Sequence, residues 1–137
     1  MERICLPREL FLEMIAHVAG QLPDEACGLL GGRDGRAMRH YPVENRLHTP
    51  TAYEMEPLQQ VRAMLAIEAA ELELVAIYHS HPAGPARPSP TDVAEARYPD
   101  ATHIIIDLSD AAHPAARAFM IREGRAREIG LVILARS

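Results

Sequence analysis

The sequence predicts one domain of mixed helix and strand, an α/β (α+β) layered fold, and three observations carry that expectation. Apolar residues recur at helical spacing in two segments and gather into short continuous runs in several others, and the two kinds alternate along the chain. A chain of 137 residues corresponds to a single domain, residues 1–137, and is long enough to bury a core. A composition of 48% hydrophobic and 24% charged residues is that of an ordinary globular protein, not a disordered or fibrous one.

The elements follow in order. Arg3 to Leu6 suits a short first strand. After Pro7, the residues Leu10, Phe11, Met14, Ile15 and Val18 repeat at helical spacing, and Gly20 with Pro23 ends that helix. Cys27 to Leu30 is a brief apolar run towards a turn expected at Gly31-Gly32, and Arg36 to Val43 returns as the other arm of a hairpin. Tyr53 to Met55 is a weak strand candidate. Pro57 opens a second helix, whose apolar stripe runs through Leu58, Val61, Met64 and Leu65 towards Leu72. Leu74 to Tyr78 is apolar throughout, as expected of a central strand covered on both faces. A stiff, proline-rich loop from Ala83 to Pro90 leads to a short helix over Thr91 to Arg97. Thr102 to Leu108, Ala116 to Arg122 and Glu128 to Leu134 read as strands, the last two separated by Glu123-Gly124-Arg125.

Several function classes are disfavoured at once. A net charge of -5 argues against general affinity for nucleic acid or an anionic membrane. No apolar stretch approaches the roughly 20 residues needed to cross a bilayer. Met1 to Pro7 carries an acidic residue and a proline where a signal peptide needs an apolar run, so a cytoplasmic location is expected. Cys5 and Cys27 are too few for a disulfide framework and form no CxxC pair. All 14 basic residues are arginine, which reads as codon preference.

His79 and His81 carry the chemistry. They stand two apart at the end of a predicted strand, where alternation sends both imidazoles to one side and Ser80 to the other. Two converging imidazoles can form part of a zinc site, although an isolated HxH is more often a pair of ordinary polar histidines; a catalytic site needs a third donor, for which Asp92, across the proline-rich loop, is a candidate. Two nitrogens and one oxygen with a position left open is a catalytic pattern, since closed structural sites take four protein ligands. Ser89 and Asp92 also fit a helix start, with Ser89 as N-cap and Pro90 at the first helical position. A hydrolytic site needs a base as well, and Asp24, Glu25 and Glu54 are all open to that role on chemistry alone. Cys27 and His103 read as structural, and His17, His40, His48 and His113 have no partner at ligand spacing.

His79-x-His81, seven residues, Ser89, two residues and Asp92 resemble the H-x-H-x7-S-x2-D signature of the JAMM (MPN+) metalloproteases. Pro82 and Pro88 fall where that family favours proline. The segment beginning Glu25-Ala26-Cys27-Gly28-Leu29-Leu30-Gly31 looks like the E-x-C-G-L-L-x-G stretch of its bacterial members. The resemblance implies an MPN/JAMM fold, a mixed curved sheet flanked by helices and similar to cytidine deaminases. It implies one Zn2+ on His79, His81 and Asp92 with a bound water, Glu25 as general base, and Ser89 directed at the oxyanion. It further implies cleavage of an amide or isopeptide bond at the C-terminal Gly-Gly tail of a small ubiquitin-like or sulfur-carrier protein, by tail processing or by release of a conjugated target. Glycines suit a tight channel, having no side chains. Three competing readings are a metal-free MPN-type binding scaffold, a RadC-type protein associated with DNA repair, and a zinc nucleoside deaminase. The retained ligands count against the first, and the acidic charge and the ECGLLGG stretch against the second. The missing P-C-x-x-C signature counts against the third.

Overall fold

The structure, a computed structural model, describes residues 3–135. Met1 and Glu2, which open the segment judged not to be a signal peptide, lie outside the described residues, as do Arg136 and Ser137. In chain order the elements are β1 (Arg3–Pro7), α1 (Arg8–Gly20), β2 (Cys27–Arg33), β3 (Arg36–Val43), α2 (Pro57–Ala69), β4 (Glu73–His81), α3 (Pro90–Glu95), β5 (Thr102–Asp107), β6 (Ala115–Arg122) and β7 (Arg125–Leu134). The strands form one mixed sheet in the order β1-β3-β2-β4-β5-β6-β7, which curls until it closes: β1 runs parallel to β7 over five residue pairs and meets β3 at Cys5 and Arg36. The expected α+β fold with a curved mixed sheet and flanking helices is present. No helix among the described residues is long and apolar enough to cross a membrane.

Strand alternation divides the core. On one face Ala76 and Tyr78 of β4 join Leu30, Ile104 and Ile106 against Leu10, Met14 and Val18 of α1. On the other, Ile77 joins Cys27, Leu29 and Val43 beneath Ala63 and Ile67 of α2, while Ile105, Phe119 and Ile121 lie under Val93 and Ala96. Burial of the β4 run on both faces agrees with its uninterrupted apolar character. Being the same parity as Ile77, His79 and His81 belong to the α2 face.

Three local expectations are revised. The hairpin between β2 and β3 turns at Asp34-Gly35, not at Gly31-Gly32, because positive φ at both residues (53° and 73°) gives the backbone twist that a two-residue hairpin requires. Gly31 and Gly32 stay in the strand. Tyr53 to Met55 forms only an isolated bridge, Asn45 to Met55, since the segment is tied by side-chain bonds instead of a ladder. The helix from Pro57 is present, capped by Glu56, whose carboxylate accepts from Leu58 and Gln59 N–H. Its packed side, however, is Ala63 and Ile67; Leu58, Val61 and Leu65 are more than half exposed. Ile67 lies directly over Gly31, so the small residues let α2 approach closely and decide its rotation.

Tyr78, fully buried, crosses over Gly28 to reach the α1 side, where its hydroxyl lies 2.7 Å from His17 Nδ1 and 2.6 Å from His40 Nε2. One phenol donates a single proton, so it donates to one ring and accepts from the other. A Cβ on Gly28 would overlap the Tyr78 ring. Gly28→Ala is therefore expected to lower stability by about 1–3 kcal/mol. Gly20→Ala, at a helix end with open space around it, should not destabilise, and urea midpoints of the two variants compare them directly.

Candidate metal centre

Strand β4 carries His79 and His81 to its C-terminal end on one face, and the first turn of α3 brings Asp92 to meet them. The helix begins as a capping box. Asp92 N–H donates to Ser89 Oγ at 3.0 Å, and Ser89 N–H donates to Asp92 Oδ2 at 2.8 Å. The same Oδ2 lies 3.1 Å from His79 Nε2 and 3.2 Å from His81 Nε2, and the two nitrogens are 3.1 Å apart. Helix cap and side-chain cluster thus share one oxygen.

His81 Nδ1 stands 2.8 Å from the Pro85 carbonyl oxygen. A carbonyl only accepts, so Nδ1 carries the proton and Nε2 of the neutral ring presents a lone pair to the cluster. The three atoms form a nearly equilateral triangle: a neutral His79 satisfies it by donating Nε2–H to Asp92 Oδ2, and a cation satisfies it when both imidazoles present lone pairs. Donors held tetrahedrally by zinc sit about 3.3–3.4 Å apart, close to the observed spacing. The set is two imidazoles and one carboxylate, with the remaining side open. These residues fit zinc.

The electrostatics agree. Burial lowers the pKa of His79 against the pull of Asp92, which keeps its ring neutral. Burial acts the same way on His81, but Asp92, the Pro85 carbonyl and Glu25 outweigh it and raise its pKa. For Asp92, burial is overcome by the two imidazoles and Ser89 N–H, which hold the carboxyl well below the usual carboxylate range.

Glu25 enters from the other side. It precedes β2, which pairs antiparallel with β4 so that Cys27 faces His79. A Glu25 carboxylate oxygen and one nitrogen from each of His79 and His81 lie within 4.8 Å of one another. The side chain is buried, and its Oε1 has no hydrogen-bond partner among the described residues. Burial pushes the carboxyl up to about 7, opposed by His81 and reinforced by the Asp92 charge. Asp92 Oδ2 lies 3.1–3.2 Å from the imidazole nitrogens, while Glu25 makes no hydrogen bond to them through Oε1.

All five residues singled out from the sequence, Glu25, His79, His81, Ser89 and Asp92, come together here. Asp24 and Glu54 do not join the cluster. Cys27 is a core residue: burial, with the Glu25 charge, pushes its thiol up to about 12. His103, opposite Ile77 on β5, is buried, its pKa brought down to about 4 by burial and the neighbouring His79. Two contributors were missed. Tyr53 stacks on the His79 imidazole, with ring centroids 4.5 Å apart and planes at 28°. Asn45, buried in the preceding loop, donates to the Glu25 and Ala52 carbonyls and accepts from Leu47 and Glu54 N–H.

Comparison with known proteins identifies the family. The family model described as prokaryotic homologs of the JAB domain matches residues 7–122. The CysO-cysteine peptidase of Mycobacterium tuberculosis is 38% identical over 122 residues, covering 88% of this chain and 84% of the relative. A probable TtuB-protein conjugate cleaving protease of Thermus thermophilus is 41% identical over 130 residues, covering 94% and 82%. The solution structure of protein DSY2949 from Desulfitobacterium hafniense superposes with a TM-score of 0.87 at 36% identity, covering 96% of this chain and 92% of that one.

The raised pKa of Glu25 sets a pH dependence for the metal-free protein. A carboxyl that titrates near 7 when folded and near 4.5 when free stabilises the fold fully below 4.5, and that contribution is lost as pH rises through 7. Metal-free Glu25→Gln should therefore gain about 2–3 kcal/mol on the wild type between pH 5 and pH 8. Denaturant titrations of both proteins at the two pH values measure it; a constant difference would contradict the assigned shift.

Proposed function

The chain belongs to the prokaryotic JAB-domain family, and from that premise we propose that it hydrolyses the amide or isopeptide bond following the C-terminal Gly-Gly of a small ubiquitin-like, sulfur-carrier protein. It is a peptidase of the JAMM type. One observation carries the reading: His79, His81 and Asp92 converge on a point, with the buried, unpartnered carboxylate of Glu25 beside it. The CysO-cysteine and TtuB-conjugate substrates in the relatives' names support a carrier-protein substrate, by tail processing or by deconjugation.

His79, His81 and Asp92 would hold one Zn2+. Bound there, the ion supplies Lewis acidity, bringing the pKa of water to about 7 and polarising the scissile carbonyl. Glu25 receives the proton of the attacking water and returns it to the departing amine. A carboxyl with one buried oxygen unpartnered among the described residues and a pKa near 7 is matched to both transfers at neutral pH. Ser89 is free to act with it. Its oxygen accepts the cap bond from Asp92 N–H, so its own proton remains available to the oxyanion of the tetrahedral intermediate. Capping uses a lone pair and catalysis the proton, and the two do not compete.

Wild type is expected to cleave a fusion in which a Gly-Gly tail precedes the scissile bond, to stop on chelation and to resume with added zinc. Glu25→Gln should keep one zinc per chain while kcat falls by about 10²–10⁴, and full activity in that variant would remove Glu25 as the base. Ser89→Ala should lose about 10²–10³ in kcat. His79→Ala should lose the metal, and a variant still loaded at full occupancy would show the ligand set to be wrong.

A further inference from the structure

We propose that Tyr53 is a positioning residue for the metal centre: its ring, stacked on the His79 imidazole, fixes the plane in which His79 presents Nε2. The inference rests on the proposed zinc site and assigns a determinant of its affinity outside the ligand set.

The two histidines are oriented by different means. His81 donates Nδ1–H to the Pro85 carbonyl, a bond that sets both tautomer and ring plane. For His79 the hydrogen-bond contacts are those of Nε2, to Asp92 and His81, which are the atoms of the centre itself. Rotation of an imidazole about its last bond is broad and roughly two-fold, so an unrestrained ring would not hold its nitrogen on the other two donors. Here the restraint is a face. Tyr53 lies against His79 at 4.5 Å between centroids, with 28° between planes, an offset stack.

The stack is in turn anchored. Tyr53 stands between Ala52 and Glu54, and both are bonded to the Asn45 amide: Nδ2 donates to Ala52 O at 3.0 Å, and Oδ1 accepts from Glu54 N–H at 3.1 Å. The same Nδ2 donates to Glu25 O at 3.0 Å. One buried side chain therefore sets the ring beside His79 and the backbone of Glu25 in a common frame. Tyr53 also packs against the core group of Cys27, Met55 and Ile77, which steadies it from behind.

The electronic consequence has a definite sign. A metal-bound imidazole carries more positive charge than a neutral one, and the face of a tyrosine ring is electron-rich. The contact is stronger in the loaded state than in the empty one, and only such a difference raises affinity.

The test is titration of the metal-free protein with Co2+, followed by competition with Zn2+, in wild type, Tyr53→Phe and Tyr53→Leu. Tyr53→Phe keeps the ring and should reproduce wild-type affinity and the visible Co2+ spectrum. Tyr53→Leu should bind both ions about 10–100-fold more weakly, with shifted Co2+ bands. Denaturant melts of the metal-free variants show whether they fold, and Tyr53→Met replaces the leucine variant if that one does not. Unchanged affinity and spectrum in the non-aromatic variant overturn the inference, as does a phenylalanine variant as weak as leucine. Wild type that binds neither ion overturns the metal centre itself, and the inference with it.

Discussion

Ser80 is bonded twice to Ala26: it receives Ala26 N–H on its hydroxyl oxygen and gives its own N–H to the Ala26 carbonyl, both at 2.9 Å. This exchange joins β2 to β4 where their ladder ends, and the geometry of the centre depends on it. Ser80 points away from the cluster because His79 and His81 point into it, and Ala26 follows Glu25 in the chain. One buried pair thus sets the distance between the base and the imidazoles. A slip of one residue would send the histidines to the α1 side and leave the serine hydroxyl without its partner, at a cost of about 1–3 kcal/mol.

With zinc held as proposed, that geometry would make protons and metal compete for one place. The three atoms lie within hydrogen-bond distance of one another, and Asp92 and Glu25 help raise the pKa of His81. Uptake of the ion would release protons, and acid would weaken it. Glu25 shares the neighbourhood without sharing the bonds, so its environment differs from that of Asp92 although both are carboxylates a few ångströms from the same imidazoles. Asp92 is surrounded by donors and stays ionised; Glu25 is buried with an oxygen unpaired and titrates near neutrality. In the proposed mechanism one carboxylate is an anchor and the other a proton carrier.

The parts legible from sequence were those governed by local periodicity. Alternation along a strand was enough to place His79 and His81 on one face, and the Ser89-Pro90-Thr91-Asp92 pattern gave the helix cap, although neither told whether a metal was involved. Glu25 could be preferred to Asp24 or Glu54 only through family resemblance, because its approach depends on β2 pairing with β4, a contact across more than 50 positions in the chain. Asn45 and Tyr53 were invisible for a related reason. Their loop has no ladder to impose a period, and its shape comes from one amide making four hydrogen bonds. The exposed stripe of α2 shows the opposite failure. Leu58, Val61 and Leu65 obey helical spacing, yet Gly31 beneath the helix admits Ile67, and close packing outweighed the apolar pattern.

The three donors do not rest on equal foundations. His79 and His81 belong to a strand with a neighbour on each side, and Tyr78 between β4 and α1 pins it from the opposite face. Asp92 belongs to a six-residue helix that buries none of its residues completely. Short segments with few buried contacts open locally at small free-energy cost, while the surrounding sheet stays closed. In kinetic language the two imidazoles form a permanent seat and the carboxylate a latch. Exchange of the ion with its surroundings would then begin by lifting α3, without unfolding the barrel.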